Sequence, residues 1–404
     1  MPSSRSTPVE GSATAPSPVA AESIKPPLSF SRFAELQAWR MLGLVTAIAV
    51  LFAIFTFLTS GVFFTPRNLS NLSVQTSVTA LLTVGMTWLM VARQIDLSGG
   101  ALIALIGVLV ARCEVTFGWP LGGTLAAASC LGLLVGLVQG LIVTHLAIPA
   151  FIATLAAFSY LRGAAFIASE GTTIAGLGDG FSMIANTNVP VAVSVAAFLF
   201  AGLVVITRKA MSWMKPENKG KTRPVNAVST GVLVLCALLG AYVFGRYRGI
   251  PSPVVALLAV IGAATFVASN TAFGRHIYAI GANPEAARRV GINVKGMLIG
   301  LFVLSSLLST LGALIQTSRL DAGSPDTAEF LALDAISACV TGGTSLSGGR
   351  GTVAGSALGA LFMSTIANGL SMMGINTYWQ LVTTGIVLVA ALTIDRVTRQ
   401  GEQT

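Results

Sequence analysis

Uncharged runs of about 20 residues recur along this chain, each the length a helix needs to cross a hydrocarbon layer of about 30 Å. The first, from Met41 to Thr59, reads MLGLVTAIAVLFAIFTFLT. Further apolar segments follow at 69–92, 99–117, 120–144, 150–168, 190–207, 227–244, 252–269, 297–317, 329–343, 352–372 and 377–394. Composition rules out one large water-soluble core as the alternative. Of 404 residues 54% are hydrophobic and only 10% charged, with a mean hydropathy of +0.80, where soluble chains carry charge at about one residue in four. The expected fold is all-α, a polytopic transmembrane bundle of about 12 spans (10–12). The 329–343 segment is short and carries Glu329 and Asp334, which predicts a broken or re-entrant helix enclosed by protein.

Basic residues orient the bundle. With the amino terminus in the cytoplasm, 18 of the 24 Lys and Arg fall in the tails and inner loops. Outer loops keep Arg67, Arg112, Arg246, Arg248 and Arg319, and Arg162 lies inside a segment. Both termini are therefore expected in the cytoplasm. The net charge of +9 then reflects loops beside anionic lipid, and no nucleic acid partner is needed to account for it. Residues 1–40 form a cytoplasmic tail, mostly disordered, whose Ser/Pro/Ala-rich start has too little apolar content to fold. Residues 41–395 form the membrane domain, with a basic cytoplasmic insert at 208–226, and 396–404 a second tail.

The tetrapeptide LSGG occurs twice, at Leu97–Gly100 and Leu346–Gly349, and resembles the core of the signature by which transporter ATPases grip ATP. A triphosphate site also needs a glycine loop with a lysine, G-x-x-x-x-G-K-[ST]. The nearest candidate, Gly220-Lys221-Thr222, has Lys215 where the first glycine belongs. Gly349–Ala354 fits G-x-G-x-x-A, yet it opens an apolar helix instead of a strand-helix unit. ATP hydrolysis by this chain is not expected. Both copies instead predict tight turns after an inward segment, with Asp96, Ser98, Ser345 or Ser347 capping the next helix. Glycines spaced by four, Gly132/Gly136/Gly140 and Gly351/Gly355/Gly359, predict strips where helix backbones approach closely.

Between Ala272 and Gly296 lies a basic-side loop, AFGRHIYAIGANPEAARRVGINVKG. Within it Asn283 suits a helix cap, Pro284 the first turn, Glu285 the positive helix end, and Gly291 a left-handed stop. A helix this short does not persist alone in water, so the bundle surface or a partner subunit must hold it. Among polar residues in segments, Arg162 and Asp334 are expected to face protein or water. Arg162 either lines the path or pairs with Glu170, while Asp334 is a hydrogen-bonded support or a path residue. Gln316, Asn368 and Gln380 read as links between helices, Asn368 also as a path candidate. Cys113, Cys130, Cys236 and Cys339 show no C-x-x-C spacing, and His145 and His276 fall in different loops. Neither a metal site nor a catalytic constellation is indicated.

GRHIYAIGANPEAARRVGINV and LDAISACVTGGTSLSGGRGTVAGSALGALFMSTIANGL, with IDLSGG at Ile95–Gly100, resemble the permease subunits of monosaccharide ABC importers. This is the ribose/xylose/galactose group, related to branched-chain amino-acid permeases. The resemblance runs from about Leu69 to Asp395. It implies a coupling element seated on a separate ATPase, a role that falls on Asn283, Glu285, Ala286, Ala287, Arg288 and Gly291. It also implies a sugar-binding protein outside, a second permease copy, ATP used only by the partner, and a bacterial inner membrane. Two segments beyond the family's usual ten, bracketing RKAMSWMKPENKGKTRP, make the chain most like the D-xylose branch. The competing class, an ion-coupled carrier or channel, calls for paired ionisable groups within spans. Here those are few: Arg162, Asp334 and Asp96.

Overall fold

The computed structural model describes residues 30–214 and 223–403; residues 1–29 of the expected tail and the centre of the basic insert lie outside them, while 30–40 of that tail are the helical start of α1. Helices α1 (Phe30–Leu58), α2 (Pro66–Val91), α3 (Gly99–Ala111), α4 (Leu121–His145) and α5 (Ala150–Ser169) come first. The short α6 (Asp179–Asn186) precedes α7 (Val191–Met214), α8 (Arg223–Arg246) and α9 (Ser252–Asn270). After α10 (Ala272–Ala282) and α11 (Pro284–Arg289) come α12 (Val294–Leu320), α13 (Leu331–Thr341), α14 (Val353–Met372) and α15 (Thr377–Gln403). Eight helices among the described residues are long and apolar enough to cross a membrane, and four further apolar stretches are shorter.

At the centre lie α2 and α12. Thr65 accepts from the Asn68 amide and Pro66 takes the first turn, so α2 starts where its sequence says. From Thr76 to Val91 every residue is buried, the mark of a helix enclosed on all sides. Two of its hydroxyls are satisfied there by bonding back one turn, Thr83 to the Thr79 carbonyl and Thr87 to that of Thr83, both at 2.7 Å, whereas Thr76 Oγ1 has no partner among the described residues. On the far flank of α12, α4 lies close along its glycine strip. A Cβ on Gly136 would stand 2.7 Å from Val303 Cα, and one on Gly140 2.8 Å from Ile299 Cα. Gly355 and Gly359 likewise admit the backbones of Gly342 and Ala338, whereas Gly351 precedes α14 and belongs to the loop. The α7–α8 hairpin stands at one side, where Phe198 stacks on Phe244 at 5.6 Å and α8 adds Val243 and Phe244 to the cluster with Phe63 and Leu72.

Two interruptions shape the interior. After Val91 the chain turns back into the bundle before α3 begins: Gly99 packs on Leu82 and Ser309, nine residues, or about 14 Å, along α2 from its end. The second follows α12, where Asp321 turns left-handed (φ 51°) and β2 (Ala322–Gly323) pairs antiparallel with β1 (Ile174–Ala175). Residues 324–330 then descend beside α3 until Ala328 meets Gly100, and α13 begins. Its 11 residues reach only about 16 Å, so 329–343 is the broken segment its charges predicted.

The LSGG copies do not occupy equivalent places. The first opens α3 inside the bundle, and there the Asp96 carboxylate accepts from Ser98 N and Oγ at 2.8 and 2.6 Å, so Ser98 spends its hydroxyl on Asp96 and forms no cap. The second lies at the bundle end, with Gly348 and Gly349 left-handed (φ 81° and 72°). Thr352, not Ser345 or Ser347, caps α14 by accepting from the Gly355 amide at 3.2 Å.

Candidate functional site

At one end of the bundle the 272–296 connection is two helices, not a loop with one. Phe273, Ile277 and Ile280 recur at helical spacing and pack inward, which makes α10 a helix in its own right, capped by Thr271 accepting from the Gly274 amide. α11 is built as its sequence specifies. The Asn283 side-chain Oδ1 accepts from the Glu285 and Ala286 amides, both at 3.0 Å. Gly291 (φ 85°) closes the other end, its amide donating to Arg288 O at 3.0 Å and that of Ile292 to Ala287 O at 3.1 Å. Only Ala287 of this helix is buried; Glu285, Ala286, Arg288 and Arg289 face outward, and Val290 beside them is 77% exposed. So small a helix is covered by the rest of the bundle only at Ala287, and its termini are held by its own caps.

At the opposite end lie two cavities, the first mainly polar and the second mainly apolar with a few polar groups. One of about 460 Å³ is lined by Asn71, Gln75, Asn186, Asn188, Tyr247 and Arg319 among others. The second, about 210 Å³, reaches deeper and is lined by Gln75, Gln316, Arg319, Leu331, Asp334 and Ser364. Gln75 and Arg319 belong to both, so the cavities are neighbours sharing a wall. Within the second, the Thr384 hydroxyl donates to the Asp334 carboxylate at 3.2 Å. Arg319 lines both cavities, and its buried Nε has no hydrogen-bond partner among the described residues. Asn368 lies just behind: it accepts from Asn68 at 3.0 Å and donates to Gln75 at 3.4 Å, linking α14 to α2 and steadying a lining amide.

Arg162 lines neither cavity. It pairs with Glu329, with Asp326 at 3.6 Å, and lies over Phe158 and Phe166, not against Glu170. It thereby pins the descending segment before α13. Gln316 faces the second cavity, and Gln380 bonds locally to Ile375 O at 3.3 Å instead of joining helices. Gln75 and Arg319 were not legible as site residues. The residue after Arg319 but one is a left-handed Asp321, and nothing local marks which face of α12 turns toward a cavity. Among the described residues no three His, Cys, Asp or Glu side chains gather as a metal site.

The bundle of membrane-length helices thus carries an exposed, capped short helix at one end and a hollow at the other. The chain belongs to the family described as branched-chain amino acid transport system / permease component, which it matches over residues 68–392, and is thus a transport subunit without an ATPase site of its own, working with an ATPase and a substrate-binding protein. It is similar to the xylose transport system permease protein XylH of Escherichia coli K12, 38% identical over 363 residues, 88% of this chain and 92% of that protein. XylH of Haemophilus influenzae is 38% identical over 371 residues, covering 89% and 96%. The ribose import permease protein RbsC of E. coli K12 is 34% identical over 349 residues, covering 86% and 91%. No solved structure matches the chain.

Proposed function

We propose that this chain forms the path for a monosaccharide, D-xylose or a related pentose, in an ATP-driven importer of the bacterial inner membrane. α11 is the helix seated on the ATPase, through Asn283, Glu285, Ala286, Ala287, Arg288 and Gly291. The observation that carries this reading is the separation of roles along α2 and α12. An exposed, doubly capped helix lies at one end, and amide-, hydroxyl- and arginine-lined hollows lie at the other. A neutral polyol suits such a lining, because its hydroxyls donate and accept against Asn, Gln and Arg without bringing a charge that must be matched. Similarity to permeases named for xylose and ribose supports a pentose.

The orientation follows from the basic α10–α11 end, with Arg275, Arg288, Arg289 and Lys295, placed in the cytoplasm together with both termini. Twelve crossings fit that placement. Residues 99–116 form one of the helices long enough to cross, and 321–341 is counted as one crossing made by the turns after α12 together with α13. A second copy of the chain completes the pair of docking helices that a two-ATPase motor engages. The test is uptake in proteoliposomes holding the chain with its ATPase and binding protein, across a panel of pentoses and hexoses. ATP-dependent xylose uptake is expected; uptake driven by an ion gradient with no ATPase present sinks the reading.

A further inference from the structure

We infer that Arg93 is the positioning residue that ties the docking helices to the substrate cavity; the inference rests on the ATP-driven reading above. Arg93 follows α2 directly and holds φ at 63°, a backbone region that residues bearing a Cβ rarely occupy. Its side chain accounts for its being there. Nε donates to Gly281 O at 2.6 Å and Nη2 to Ala282 O at 2.7 Å. These are the last carbonyls of α10, which no further helical turn satisfies, and a cation there meets the negative end of the helix. α11 begins two residues later.

The same spot receives a third element, the loop joining α13 to α14. Gly349 N donates to Val91 O at 2.8 Å. The Tyr278 hydroxyl of α10 donates to Gly351 O at 2.7 Å, and burial pushes this phenol above its usual range, so it stays a donor at any physiological pH. Gly348 lies against the Arg93 stem with Gly281 O and Val91 O each 3.0 Å from where a Cβ would stand. A side chain at 348 would therefore push the three apart. From this junction the chain leads back along α13 to Asp334 in the deeper cavity and along α2 to Gln75 in both. A displacement of α11 thus reaches the cavity through two elements that Arg93 fastens to α10. Without the guanidinium, α10 keeps only the apolar packing of Ile277 and Ile280 on the end of α2 and the Tyr278 bond to the loop, a contact that slides more readily than a pair of charge-assisted hydrogen bonds.

The experiment uses the complete complex in proteoliposomes, carrying Ala367→Cys on the wall of the deeper cavity as a reporter of maleimide labelling, read by peptide mass. With native Arg93, ATP is expected to change the labelling rate at 367. Arg93→Gln should shrink that change about tenfold while the ATPase still co-purifies and hydrolyses ATP, and Arg93→Lys, one donor group in place of a fork, should restore part of it. An Arg93→Gln complex whose labelling responds to ATP as before overturns the inference. So does one that simply loses its ATPase, since Arg93 is then a structural support only. A native complex indifferent to ATP refutes the ATP-driven reading itself, a failure visible before any Arg93 variant is compared.

Discussion

Arg319 and Asp334 are the two charged side chains that face the same cavity, and they differ in what holds them. Asp334 has the Thr384 hydroxyl, whereas Arg319 Nε has no partner among the described residues. A donor left open in a buried place gains most from a ligand that accepts its bond. Arg319→Gln is therefore expected to leave the amount of assembled protein unchanged and to raise the sugar concentration for half-maximal uptake about tenfold, roughly 1.4 kcal/mol. Unchanged uptake kinetics would remove Arg319 from the path. Arg162 should behave in the opposite way. Its pairing with Glu329 and Asp326 fixes the segment before α13, so Arg162→Ala should lower thermal stability of the purified protein by on the order of 1–2 kcal/mol, discounted for partial exposure. Glu329→Ala in the same background should add little, because the partner is already gone.

At the scale of elements, α11 and the glycine strip of α4 were legible in the sequence for different reasons. The capping of α11 is a purely local matter of Asn283, Pro284 and Gly291, and local signals survive without tertiary information. Asn283→Ala removes the acceptor for two amides and should cost the helix about 1 kcal/mol. The measurable result is weaker co-purification of the ATPase, with Asn283→Asp restoring it; equal recovery with alanine would mean that α11 is held from elsewhere. The glycine strip was legible as period four, and its partner was not, since spacing says that something approaches without saying what. α10 was overlooked because its apolar positions sit inside a basic loop, and a charge-rich setting masks an amphipathic period. Glu329 and Asp334 marked the second interruption, while the depth of the first was the least legible feature. LSGG is printed twice, yet one copy lies about 14 Å inside the bundle and the other at its end, because depth is decided by what the neighbouring helices leave open. Gly99 finds Leu82 and Ser309, while Gly349 finds Val91 and Ala282.

For the whole molecule, sidedness is the property on which the division of labour depends. The cavities open at the end where α2 begins and α12 finishes, and the docking helix projects from the end where α2 finishes and α12 begins. If the basic end faces the cytoplasm, the substrate hollow faces the outside, where sugar arrives. Two exposed positions separate these faces without touching either site: Ser60, in the turn between α1 and α2, and Val290, just after α11. In a background with the exposed Cys130 and Cys236 changed to alanine, Ser60→Cys should react with an impermeant maleimide added to intact bacterial cells. Val290→Cys should react only in inverted membrane vesicles, and bound ATPase should protect it if α11 is the helix it seats on, as proposed. Reaction of position 290 in intact cells would place the basic end outside, against the electrostatic preference of the inner leaflet. It would also leave the docking helix beyond the reach of any cytoplasmic ATP-driven partner.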